Sequence, residues 1–150
     1  GVFAVQARMK HSNCGREFDM PTACRDAVLQ WIGDRYGAEP EYLWRKYPTY
    51  AVFRRQNNRK WFAALMEVSR KQLSLEGAEM VDILDLKCDP RLIGTLRESP
   101  GFLPAYHMNK ANWITVLLDG SVTMEDLMPL LDLSYDLANG GRRRGPAPQS

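Results

Sequence analysis

Residues 104–120, P-A-Y-H-M-N-K-A-N-W-I-T-V-L-L-D-G, constrain the fold more than any other part of the chain. They join a polar cluster, His107, Asn109, Lys110 and Asn112, to a run at 113–118 that can only be buried. The run closes on Asp119-Gly120, a strong turn dipeptide. This pattern predicts a polar turn feeding a core strand. Because the strand fixes where the turn sits, the elements before and after are expected to pack around this unit.

Around it the periodicity changes several times. From Thr22, the residues Cys24, Val28, Trp31, Ile32 and Tyr36 fall at helical spacing, with Pro21 and Thr22 near the start and Gly37 as a stop. Tyr42-Leu43-Trp44 is read as an aromatic anchor. Strands are predicted at 50–55 and 61–68, flanking the turn Gln56-Asn57-Asn58-Arg59. The second of these is apolar on both faces and therefore central. A third strand at 80–88 places Leu84, Leu86 and Cys88 on one face and Ile83, Asp85 and Lys87 on the other. Asp89-Pro90 reads as an N-cap with proline in the first turn of a short helix. A short extended piece follows at 102–106. The last helix, 123–139, opens on Thr123 and buries Met124, Leu127, Leu131, Tyr135 and Ala138. Tight connections favour antiparallel pairing with the helices on one face, an α+β two-layer sandwich.

At 150 residues the chain suits one domain, placed at 22–139, between a flexible leader at 1–21 and a disordered basic tail at 140–150. No apolar run reaches the length of a membrane span and no signal peptide is legible, so a cytoplasmic monomer is expected. Three cysteines in no ligand-like spacing point to reduced thiols, and neither a metal nor a cofactor is expected. The net charge of +2 conceals a strong asymmetry. Residues 41–71 carry eight basic and two acidic side chains, whereas 72–139 carry four basic and eleven acidic ones. Any anion-binding surface must therefore be local.

Several segments together resemble the MmcQ/YjbR family: Y-G-A-E-P-E-Y-L-W-R-K-Y-P (36–48), D-I-L-D-L-K-C-D-P (82–90), P-G-F-L-P-A-Y-H-M-N-K-A-N-W (100–113), L-L-D-G-S-V (117–122) and L-S-Y-D-L (133–137). The resemblance covers 22–139 in unbroken order. It implies a fold similar to bacterial frataxin, CyaY, and a DNA-binding role through a double-wing arrangement. Frataxin-like iron binding does not carry over, because the first helix offers only Asp26 and Asp34 among Arg25 and Arg35.

Two regions carry candidate chemistry. Arg54, Arg55, Asn57, Asn58, Arg59 and Lys60 form a basic β-ribbon that can lie in a nucleic-acid groove, with Tyr50 and Trp61 as stacking surfaces. Alternatively, the same charges form a solvated hairpin that prevents edge pairing. His107, Asn109 and Lys110, with Lys87 at the end of the third strand, can make an anion or ligand site for a small molecule or a protein. The asparagines can equally tie the turn's own backbone. His107 is the only histidine in the fold and no nucleophile motif accompanies it, so no catalytic residues are assigned and no enzyme is expected. DNA is the expected partner.

Overall fold

Strand alternation decides this architecture, because every strand but one buries residues on both faces of a single sheet. The computed structural model describes residues 22–139; the expected leader at 1–21 and tail at 140–150 lie outside them. Helix α1 (Arg25–Tyr36) is followed by β1 (Ala51–Arg54), β2 (Trp61–Ser69), a 3-10 turn (Arg70–Leu73) and β3 (Met80–Lys87). Helix α2 (Pro90–Leu96), β4 (Phe102–Pro104), β5 (Trp113–Leu117) and helix α3 (Met124–Leu137) complete the chain. The five strands form one antiparallel sheet in the order β1-β2-β3-β5-β4. The fold is α+β.

The helix boundaries follow from local chemistry. Cys24 caps α1 by accepting from the Ala27 N–H, and Gly37 ends it at φ 66°, a left-handed conformation natural to glycine. Asp89 caps α2 through the Arg91 N–H, with Pro90 in the first turn where no N–H is needed. Thr123 caps α3 by accepting from the Asp126 N–H at 3.2 Å. Cys88 is a buried free thiol, but Cys24 is disulfide-bonded, which corrects the expectation of reduced thiols.

One face of the sheet meets the helices. Phe53, Phe62, Leu65, Leu84, Leu86, Ile114 and Val116 pack there against Val28 and Ile32 of α1, Ile93 of α2, and Leu127 and Leu131 of α3. Side chains of this size each contribute roughly 1.5–3 kcal/mol by leaving water. Gly101, at φ 91°, lets β4 approach this layer, since a Cβ there would stand 2.5 Å from Val122.

A β-bulge then splits the register. Phe53 pairs with Ala63, but Arg54 pairs with Trp61, so Phe62 is the extra residue. Phe62 and Ala63 both join the helix-facing core, while Trp61 swings to the opposite face. The β2–β3 ladder stops at Ala63↔Leu86, which leaves the next backbone groups without each other. The Ser134 hydroxyl of α3, wholly buried, fills the gap: it accepts from the Lys87 N–H at 2.9 Å and donates to the Phe62 carbonyl. Ser134 therefore belongs to the helix–sheet layer.

Candidate functional site

The basic hairpin is bound into the fold at almost every polar group. Arg54 donates to Glu41 Oε1 and Arg59 to Glu41 Oε2, both at 3.0 Å, so one carboxylate holds two guanidinium groups. Arg55 donates to the Tyr135 carbonyl at 2.8 Å, and its guanidinium carbon lies 3.9 Å from the centre of the Tyr135 ring. Asn58 donates to the Ala138 carbonyl at 2.9 Å and Asn57 to Asn139 Oδ1 at 3.2 Å. The tip of the hairpin thus caps the C-terminal end of α3, where carbonyls lack helical partners and the helix dipole favours cations. Arg59 adopts φ 64° at the turn, and Lys60 is exposed. The charges expected to reach outward are largely engaged inward.

The residues expected to form an anion site have separate engagements. Asn109 is exposed and turns its amide oxygen to the Ala111 N–H at 2.8 Å, and its carbonyl accepts from Asn112 and Trp113, so it shapes the turn before β5. Lys87 lays its ammonium 4.9 Å from the centre of the Trp113 ring; burial, then nearby Lys60, lowers its pKa. Lys110 is exposed. Among these four residues His107 alone reaches a cavity.

That cavity, about 390 Å³, lies on the sheet face turned away from the helices. Its walls are Trp44, Tyr47, Tyr50, Trp61, Tyr106 and His107, and its floor includes Val52, Ala64 and Met66. In the aromatic segment Tyr42-Leu43-Trp44, Tyr42 is 55% exposed, and Trp44, at 38%, forms part of the cavity wall. Trp44 meets Tyr50 at 75° and Trp61 at 87°, with ring centres 6.2 and 5.8 Å apart. Tyr47 stacks on Tyr50 at 4.7 Å. Rings meeting at right angles make a corner, an arrangement that leaves ring faces available to a third group. Burial, then the neighbouring tyrosines, holds Tyr50 and Tyr106 above their ordinary pKa of 10, so both hydroxyls are neutral donors at physiological pH.

Beside the floor stands a buried carboxyl. Cross-strand pairing lines up Val52, Ala64, Asp85, Thr115 and Leu103 in one row across the sheet. Asp85 is 0% exposed. One of its oxygens accepts from the Thr115 hydroxyl, which in turn accepts from the Tyr106 N–H at 2.8 Å. The other oxygen has no hydrogen-bond partner among the described residues. Burial outweighs the Thr115 bond and the more distant Lys110 and pushes the carboxyl up to about 7. Asp85, Thr115, Trp44, Tyr47 and Tyr106 are the site residues that sequence reasoning missed. The available signal was a carboxylate inside the apolar run D-I-L-D-L, one residue out of phase with the helix-facing leucines.

Among the described residues no group of three His, Cys, Asp or Glu side chains can hold a metal ion, and no helix is long and apolar enough to cross a membrane.

Comparison with known proteins places this framework. The YjbR family model matches residues 34–137. The uncharacterized protein YyaQ of Bacillus subtilis is 36% identical over 113 residues, which span 75% of this chain and 96% of that protein. The uncharacterized protein YjbR of Escherichia coli is 41% identical over 56 residues, 37% of this chain and 48% of that protein. A crystal structure from Pseudomonas syringae, 41% identical, superposes with a TM-score of 0.75 over 77% of this chain and 98% of its own. A Deinococcus radiodurans protein at 23% identity shares the fold, with a TM-score of 0.60 over 82% of this chain and 85% of its own. With a family match over most of the folded residues and a full-length relative in YyaQ, the chain belongs to the YjbR family.

Proposed function

We propose that this protein is a small-ligand-binding module whose site is the aromatic cavity on the open face of the sheet, and that the basic hairpin is a structural staple. The observation that carries the reading is the cavity itself. Its volume of about 390 Å³ lies in the range of small-molecule sites, its walls are mostly aromatic, and a few polar groups converge on it from Tyr50, Tyr106, His107 and Gln72. The expected nucleic-acid role of the hairpin draws less support from the geometry, since Arg54, Arg55 and Arg59 already have partners inside the chain. A groove-binding ribbon needs such groups free for phosphate.

The test is a panel of planar, ring-containing compounds of about ten non-hydrogen atoms, measured by calorimetry on the full chain. Ligands of this size that fill a preformed pocket reach dissociation constants of roughly 0.1–1 mM. Trp44→Ala, which removes a partly exposed wall, and Ala64→Leu, which adds volume to the floor, are both expected to weaken binding without unfolding the chain. Binding that neither substitution alters, or no binding by any compound in the panel, would refute the reading.

A further inference from the structure

The cavity's chemistry points to one sign of charge. No Lys, Arg, Asp or Glu lines it, and His107 is its one basic side chain. Lys110 is exposed and Lys87 is laid on Trp113, so neither supplies the missing positive charge. The walls instead present π-systems, whose faces are electron-rich and attract cations. One wall already holds such a contact: the Arg54 guanidinium carbon sits 5.9 Å from the centre of the Trp61 ring. Perpendicular packing of Trp44 against Tyr50 and Trp61 gives a corner in which one positive centre touches more than one ring face.

A buried carboxyl, itself outside the cavity lining, lies behind the floor. Asp85 pairs directly with Ala64 of the floor, and side chains opposed in this way have Cβ atoms about 5 Å apart. Ala64, with a single methyl, is the smallest side chain in the row from Val52 to Leu103. A buried carboxylate oxygen without a partner is costly, and a positive charge arriving nearby lowers that cost. The Thr115 hydroxyl and the Tyr106 N–H behind it fix the carboxyl's orientation.

We propose that the pocket takes an organic cation, an alkylated ammonium or a protonated nitrogen heterocycle, seated against Trp44, Tyr50 and Trp61, with the Asp85 carboxyl acting on it through space from behind the Ala64 floor, out of contact with it. The assignment rests on the cavity being a ligand site, and the two claims separate by experiment. Calorimetry on the full chain compares phenyltrimethylammonium, its uncharged isostere tert-butylbenzene, and phenylphosphonate. The cation is expected to bind about tenfold tighter than the isostere. Asp85→Asn is expected to lose most of that advantage for the cation while leaving the isostere within about twofold, since the amide keeps the carboxyl's shape. Trp44→Leu is expected to weaken both. The ratio of cation to isostere on the unaltered chain stands whether or not the Asn variant folds. Equal affinity for the cation and the isostere, or phenylphosphonate binding most tightly, overturns the cation assignment and leaves the pocket in place. An Asp85→Asn variant that folds and retains the full preference overturns the role of Asp85. Failure of all three probes overturns the pocket reading as well.

Discussion

Replacing Asp85 with Asn should change how the protein's stability depends on pH, and the size of the change follows from the carboxyl's surroundings. Burial raises the folded-state pKa from its ordinary 3.8 to about 7. Below pH 3.8 the group is protonated in both the folded and the unfolded chain. Between 3.8 and about 7 the unfolded chain releases a proton that the folded chain retains, so stability falls as pH rises. Above about 7 both states are ionised and the loss is complete. A shift of this size corresponds to about 4 kcal/mol, or roughly 10–20 °C in melting temperature for a domain of this length. Asn cannot ionise. Its amide oxygen can still accept from Thr115, and its amide nitrogen takes the place of the oxygen that has no partner, a cost that does not vary with pH. Urea denaturation of both proteins at half-unit steps from pH 4 to 8.5 isolates the effect, because other carboxylates cancel in the difference. The wild type should lose about 4 kcal/mol relative to the variant across that range. A flat difference, or a wild type that gains on the variant as pH rises, would show that Asp85 is solvated and that the closed row around it is wrong.

Three further outcomes follow from the same framework. Arg55→Ala should cost about 1–2 kcal/mol in urea unfolding, because it removes a charged donor from the Tyr135 carbonyl and a cation from its ring; an unchanged midpoint would mean that the hairpin does not clamp α3. Ser134→Ala should cost about 1–3 kcal/mol and speed hydrogen exchange at the Lys87 amide, since the hydroxyl serves two backbone groups at the bulge; slow exchange in the variant would place another group there. With Arg142, Arg143 and Arg144 replaced by Ala, duplex DNA binding should show a log–log salt slope shallower than about −2; a slope near −4 that flattens in Arg55→Ala/Arg59→Ala would restore the hairpin as a phosphate-binding surface.

Much of the fold was legible because its signals are local. The N-cap and proline at Asp89-Pro90, the glycine stop at Gly37 and the out-of-phase faces of β3 each depend on a few adjacent residues, and each appears where the pattern puts it. The candidate site was less legible because it depends on distant partners. Glu41 holds Arg54 and Arg59 only once its segment bridges to Val52 at the sheet edge, and Arg55 and Asn58 find carbonyls some 80 residues away. Alternation put Asp85 on the face of β3 away from Leu84 and Leu86, for which the sequence offered no covering helix. Asp85 is buried because Tyr106 and Met108, after β4, and Tyr50, before β1, fold over that face. Trp44, read as part of an aromatic anchor, and Tyr47 became cavity walls for the same reason: the second face had room for rings but no helix to cover it.

The most direct test of the ligand site is a titration of the isotope-labelled chain with phenyltrimethylammonium, followed through the four tryptophan indole N–H resonances. Trp44 and Trp61 should shift with the ligand, while Trp31, packed against Tyr36 in α1, and the backbone amides of Arg55, Asn57, Asn58 and Arg59 should stay in place. Shifts confined to the hairpin amides, or spread evenly over all four indoles, would contradict the assignment of function to the aromatic cavity.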